Sequence, residues 1–288
     1  MCDSDNHQGF IADTSFTRRS VVLTISSVAA AAGLPTAALA ANVTETDVMV
    51  PTPDGNADAA LFHPAGAGSW PAVLMWPDIL GLRPVFRDMG RRLAASGYTV
   101  LVPNPFYRVK RAPVVTGPFD FNDPKQVQPL LALKATLSDA AIDKDAAAFL
   151  AFLDKQKQTN RRKAAGVQGY CFSGPFAFHT AAARSDRIRA VATFHGGGLV
   201  TKDTSSPHLL IPKTKARFLV AIARNDDQKQ PDAKDVLKAT FAAAKRPAVV
   251  EVYPADHGWC VPGSQPYDQA AAERAWAELL RLYRATLV

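Results

Sequence analysis

The sequence predicts a doubly wound α/β domain, in which a mostly parallel sheet carries helices on both faces. Three observations predict it: short uninterrupted apolar runs, helical stretches that alternate with them, and enough chain for one large core. Strands that are apolar throughout are buried on both faces, as in parallel sheets whose crossover helices cover either side. At 288 residues and 48% hydrophobic, the chain suffices for a single α/β domain without a second core.

The opening is different. Residues 43–50 and 57–62 read as strands around Pro53-Asp54-Gly55-Asn56, a hairpin. The alternation then begins. Ala72-Val73-Leu74-Met75-Trp76 is a buried strand, a helix is predicted over about 85–96, and Tyr98-Thr99-Val100-Leu101-Val102 is the next strand. Between Pro103 and Pro129 the chain is rich in proline and aromatic residues and lacks periodicity, which predicts a long loop over the strand ends that covers the active site. The pattern resumes with a helix over about 138–155, a strand at 164–168 and a helix over about 174–184. Further strands follow at 190–194, 218–223 and 249–253, with helices over about 231–245 and 267–285.

The first forty residues read as separate from this domain. Thr17-Arg18-Arg19-Ser20-Val21-Val22-Leu23 opens an uncharged run over 21–40, and Ala38-Leu39-Ala40 offers small residues where a signal peptidase reads. Paired arginines before a moderately apolar stretch resemble a twin-arginine export signal. The expectation is a periplasmic or secreted protein of a bacterium, beginning near Ala41 and not membrane-bound once the signal is removed. A transmembrane anchor is the competing reading, but the run is Ala-rich and barely long enough to span.

Net charge is +7, yet Lys and Arg are scattered, with no run longer than Arg161-Arg162-Lys163, so no nucleic-acid footprint is expected. Cys2 leaves with the signal. Cys171 and Cys260 remain, which is too few for a disulfide framework, and no Cys or His spacing suits zinc. No metal or cofactor is expected.

The sharpest motif is Gly169-Tyr170-Cys171-Phe172-Ser173-Gly174, between a predicted strand and a predicted helix. A strand-to-helix turn that exposes a nucleophile is so tight that the residues two before and two after it must be small. Gly169 and Ser173 meet that need around Cys171. Ser173 is the rival nucleophile, but its flanks would be Cys171 and Pro175, a poorer fit. A helix N-terminus beside sulfur favours thiolate, and the N–H of Phe172 is a candidate oxyanion donor.

Acid and histidine follow in the order the α/β-hydrolase fold uses, each after a later strand. Asn225-Asp226-Asp227 follows 218–223, and Asp256-His257-Gly258 follows 249–253. His257 is the candidate base. Spacing does not separate Asp226 from Asp227, since only one can point at the imidazole; Asp226 is assigned and Asp227 is the alternative. Asp256 reads as solvated, His179 as structural, and His195-Gly196-Gly197-Gly198 as a segment at the pocket.

Together these residues resemble the dienelactone hydrolase family, with its Gly-x-Cys-x-Gly-Gly elbow and Cys-Asp-His triad. The likeness extends to Pro77-Asp78-Ile79-Leu80-Gly81-Leu82, Arg87-Asp88, Arg92-Leu93-Ala94, Gly97-Tyr98, Pro103-Asn104-Pro105 and His257-Gly258. It implies a hydrolase for small esters or lactones that needs no cofactor, with the Ile79 N–H as second oxyanion donor. The family usually has glutamate where Asp78 stands, a carboxylate that helps control the thiol. Its dienelactone-cleaving members grip a substrate carboxylate with two arginines: Arg108 matches one, a surface residue being the equal alternative for it, and Val261 stands where the other belongs. A missing clamp argues against the dienelactone itself as substrate. The rival readings are a silent binding or redox protein in which Cys171 pairs with Cys260, and a thioester or peptide hydrolase.

Overall fold

The computed structural model describes residues 42–288; the export signal expected over residues 1–40 lies outside the described residues. One eight-stranded sheet organises the chain, in the spatial order β1-β2-β4-β3-β5-β6-β7-β8. β1 (Val43–Thr52) and β2 (Gly55–Pro64) form the expected hairpin, and β2 also pairs antiparallel with β4 (Thr99–Pro103). From β4 onward the neighbours β3 (Ala72–Trp76), β5 (Ala165–Tyr170), β6 (Ile188–Phe194), β7 (Arg217–Ala223) and β8 (Ala248–Tyr253) are all parallel. β3, β4 and β5 are buried at every residue, which explains the apolar runs of β3 and of Val100-Leu101-Val102 in β4, while the buried Gln168 of β5 is bonded to the hydroxyls of Tyr170 and Tyr283.

Helices α1 (Pro84–Ala95) and α7 (Gln269–Leu287) pack on one face. Helices α3 (Asp139–Lys155), α4 (Gly174–Ala183) and α6 (Ala233–Ala243) pack on the other. Their ends are written locally. Pro84 opens α1, where its missing N–H costs nothing, and Phe86, Met89, Gly90, Leu93 and Ala94 form its buried stripe. Ser138 caps α3 by accepting from the N–H of Ala141, and Asp268 caps α7 by accepting from that of Ala271. This is an α/β-hydrolase fold.

Two elements differ from the sequence expectation. Helix α2 (Pro124–Ala135) starts inside the segment read as loop and runs through Pro129. It buries Leu130 alone, with Val127 and Leu133 half-buried against the core, so its weak amphipathic stripe and internal proline concealed it. A short helix α5 (Arg224–Lys229) also forms directly after β7, where only a loop was expected. Among the described residues, no helix is long and apolar enough to cross a membrane.

Candidate active site

β5 ends at Tyr170 and the chain turns through a single 3₁₀ turn, Cys171–Ser173, directly into α4. Cys171 adopts φ 57° in the left-handed region, although it carries a side chain and is 1% exposed. Such a conformation costs about 1–3 kcal/mol and persists only where its surroundings impose it. They do so here. A Cβ at Gly169 would lie 2.2 Å from the carbonyl oxygen of Ser173, so no other residue fits that position without a shift of the turn. Ser173 holds the other side: its Oγ accepts from the Tyr170 N–H at 2.9 Å and lies within donor reach of the carbonyls of Tyr170 and Trp76. The hydroxyl that rivalled Cys171 in the sequence is therefore a fully buried brace of the turn.

The loop after β6 is locked onto this turn. A Cβ at Gly174 would meet the Cα of Gly196 at 2.6 Å, and the Gly197 N–H donates to the Cys171 carbonyl at 3.4 Å. That contact fixes His195, which is completely buried and itself left-handed at φ 41°. Its ring meets His257 edge to face at 4.8 Å between centroids and lies 6.2 Å from the ring of Tyr170. The His-Gly-Gly-Gly segment thus bridges the cysteine turn and the loop that carries His257. The Gly-rich run after a strand was the sequence signal for it; the pairing of the two imidazoles had none.

His257 lies in the loop after β8, 8% exposed. Its backbone N–H donates to the Asn225 side chain at 2.8 Å, and its Nδ1 lies 2.6 Å from Asp226 Oδ2. An Nδ1–H that donates to the carboxylate leaves Nε2 as the basic nitrogen. The neighbouring acids are diverted: Asp227 receives Lys234 Nζ at 2.8 Å, and Asp256 pairs with Arg224 at 3.0 Å near the surface. The structure therefore brings Asp226, and neither Asp227 nor Asp256, to the imidazole.

The turn after β3 carries Asp78 and Ile79. Asp78 is 1% exposed, and its carboxylate accepts both guanidinium nitrogens of Arg83, at 2.5 and 2.9 Å, together with the Leu80 N–H. The Gly81 N–H closes the same turn on the Asp78 carbonyl. Asp78 is thus held by a partner five residues downstream, which the sequence reading missed.

Arg108, which the family resemblance matched to one of the two arginines that grip a substrate carboxylate, has its guanidinium bonded to Asp145 through two nitrogens and to Asp54 through two, while it lies over the ring of Tyr107. Only 14% of its side chain is exposed. A charge already matched by two carboxylates, one of them buried, is a structural tie between the β1–β2 turn and α3.

Cys171 and Cys260 are both buried thiols and do not form a disulfide. Burial pushes the Cys260 thiol well above the ordinary range, and the negative charge of Asp78 adds to the effect against a weaker opposing backbone hydrogen bond. A thiol held protonated is a poor partner for exchange. The surroundings are otherwise apolar. Phe172 stacks on Phe106 at 5.7 Å and meets Phe176 edge to face, and a Cβ at Gly81 would touch Val114 and Phe106. The segment between β4 and α2 therefore folds back over the turn after β3, as expected of a cover.

Comparison with known proteins fits this geometry. The dienelactone hydrolase family model matches residues 57–287. A carboxymethylenebutenolidase from Rhodococcus opacus is 26% identical over 240 residues, covering 82% of this chain and 89% of the relative. Among solved structures, a dienelactone hydrolase-like promiscuous phosphotriesterase from metagenomic libraries superposes with a TM-score of 0.69 at 20% identity, covering 86% of this chain and all of the other. Dienelactone hydrolase from Anabaena variabilis gives a TM-score of 0.58 at 15% identity, over 86% of this chain and all of the other. At these identities the structural likeness establishes the fold.

Proposed function

Since the chain belongs to the dienelactone hydrolase family and is thereby an ester or lactone hydrolase, we propose that it cleaves its substrate with Cys171 as nucleophile, His257 as base and Asp226 as the acid that orients it. The observation that carries this reading is the left-handed backbone of Cys171 at a buried strand-to-helix turn, strain that a purely structural cysteine has no reason to bear.

In the proposed reaction, Nε2 of His257 takes the thiol proton and Sγ attacks the carbonyl carbon. The tetrahedral oxyanion is held by the N–H groups of Ile79 and Phe172. Ile79 N–H meets no acceptor among the described residues, whereas its neighbours Leu80 and Gly81 donate to Asp78, so it is the donor of that turn still available. Collapse breaks the C–O bond, and His257 gives its proton to the leaving oxygen, which stays tethered if the substrate is a lactone. Water, deprotonated by Nε2, then attacks the thioester; thiolate leaves and the carboxylic acid is released. The Asp226 carboxylate stabilises the imidazolium formed in each half.

The test is hydrolysis of short 4-nitrophenyl esters and simple lactones under reducing conditions. Cys171→Ala is expected to lower kcat by roughly 10³-fold or more. Ser173→Ala, which removes a brace, should lower stability and leave the folded fraction active. Loss of activity with Ser173→Ala alone, or wild-type protein inert on the whole panel, would sink the thiol mechanism.

We further propose that residues 1–40 direct export by a twin-arginine-like route. Protein recovered from the periplasm should begin at Ala41, and Arg18→Lys with Arg19→Lys should retain it in the cytoplasm; export unaffected by the double substitution counts against that route.

A further inference from the structure

We infer that this site selects an uncharged acyl group, and that an ester bearing a carboxylate near the scissile carbonyl is a poor substrate. The inference rests on the hydrolase reading above and adds the substrate class to it. The site lies where the parallel strands end at their carboxyl ends, so the cations on the loops and helix starts there are the ones available to greet a substrate anion. Those withdrawn from solvent are already matched. Arg83 is bidentate to Asp78, Arg108 is shared by Asp54 and Asp145, and Lys234 holds Asp227. Arg224, closer to the surface, is matched by Asp256. Lys110, Arg111, Lys202 and Lys229 on the same edge are exposed, where water and salt screen them.

The acids on this edge occupy those cations: Asp226 faces His257, Arg108 meets Asp54 and Asp145 at once, and Lys144 lies 3.7 Å from Asp54 as well. Asp78 and Asp145 are each 1% exposed, so their charges act through a medium of low polarity. Burial raises the affinity of Asp145 for its proton, with the hydrogen bond from Arg108 opposing. A second anion brought in would be stripped of water without gaining a partner. Around the cysteine turn the neighbours are instead apolar: Phe172, next in the chain to Cys171, stacks on Phe106, and Val114 lies over the turn at Gly81. These favour a hydrocarbon acyl chain.

Three esters of matched length separate charge from size. 4-Nitrophenyl butyrate is neutral, 4-nitrophenyl hydrogen succinate places a carboxylate where the butyrate ends, and the methyl ester of that succinate restores neutrality with added bulk. At pH 7.5, with the rate in Cys171→Ala subtracted, kcat/KM for the hydrogen succinate is expected to be about tenfold or more below that for butyrate, the scale of one unmatched charge at a desolvated site. The methyl succinate should return to within about threefold of butyrate. Hydrogen succinate cleaved as fast as butyrate or faster would overturn the inference and leave the hydrolase reading standing. A methyl succinate as slow as the acid would also overturn it, since bulk and not charge would then select. Cleavage of none of the three, or equal rates in Cys171→Ala, would overturn the hydrolase reading and this inference with it.

Discussion

The cysteine turn and the segment between β4 and α3 lie on the same edge of the sheet and are built in opposite ways. The turn is overdetermined: Gly169 has no room for a Cβ, Ser173 is buried in hydrogen bonds, and Gly174 touches Gly196. The cover segment hangs by few side chains. Leu130 is the one buried residue of α2, and the rest of that helix is half-buried or exposed. Strain is tolerated only where the surroundings impose it, which is why the left-handed cysteine sits on the turn and not on the cover.

The largest expected effect sharpens that contrast. Gly169→Ala drives a methyl group into the Ser173 carbonyl and should destabilise the protein by about 4 kcal/mol or more, or prevent folding. Leu130→Ala should cost about 2 kcal/mol, the low end for a buried leucine, because α2 can settle against the core. Thermal unfolding of both variants decides it; comparable losses would erase the distinction between a rigid turn and a loosely held cover.

Next in size is the split between two adjacent acids on the rigid side. Asp226→Asn removes the carboxylate at 2.6 Å from His257 and should lower kcat by roughly 10²- to 10⁴-fold with little change in folding. Asp227→Asn breaks only the pair with Lys234 and should cost about 1 kcal/mol or less of stability with near-normal turnover. If the two variants lose activity equally, the imidazole is not oriented as described.

Much of this was readable beforehand, and the reasons differ by residue. Continuous apolar strands, the flanks of Cys171 and the order of Asp226 and His257 are local patterns tied to backbone geometry. The identity of the paired acid is not local, because it depends on Lys234 in α6 drawing Asp227 away. The same holds for Arg108: the family resemblance matched it to a ligand contact, and its ion pairs depend on the approach of Asp54 from the hairpin and Asp145 from α3. Asp78 was singled out by what it replaces, but its capture by Arg83 depends on the turn after β3. α2 escaped because a helix held by one leucine and interrupted by proline leaves no periodic signal.

A smaller effect follows from Cys260 on the packed side. Its folded-state value lies well above the reference 9.0 because burial disfavours the thiolate. The protonated thiol therefore contributes stability that is complete below about pH 9 and is lost as pH rises through the folded value, since there the unfolded chain binds fewer protons. Tyr170 and Tyr283, also raised by burial, add the same sign above their reference of 10.0. Urea denaturation should show stability falling between pH 8.5 and 10, and Cys260→Ala should flatten that fall by at most about 1.4 kcal/mol per pH unit. An unchanged slope would mean that Cys260 titrates freely and is not enclosed as described.

The smallest effect tests the loose side alone. Pro129 sits inside α2, where it cannot donate to the helix ladder and its ring crowds the preceding turn. Pro129→Ala should therefore strengthen α2 locally by about 1–3 kcal/mol. Global unfolding should barely respond, by about 0.5 kcal/mol or less, because the helix opens without the core. The informative readout is limited proteolysis within residues 104–137: slower cleavage at an unchanged melting temperature would show that the cover opens separately from the sheet. A rise in melting temperature matching the local gain would mean that α2 unfolds together with the core, and the cover would then be as firmly integrated as the cysteine turn.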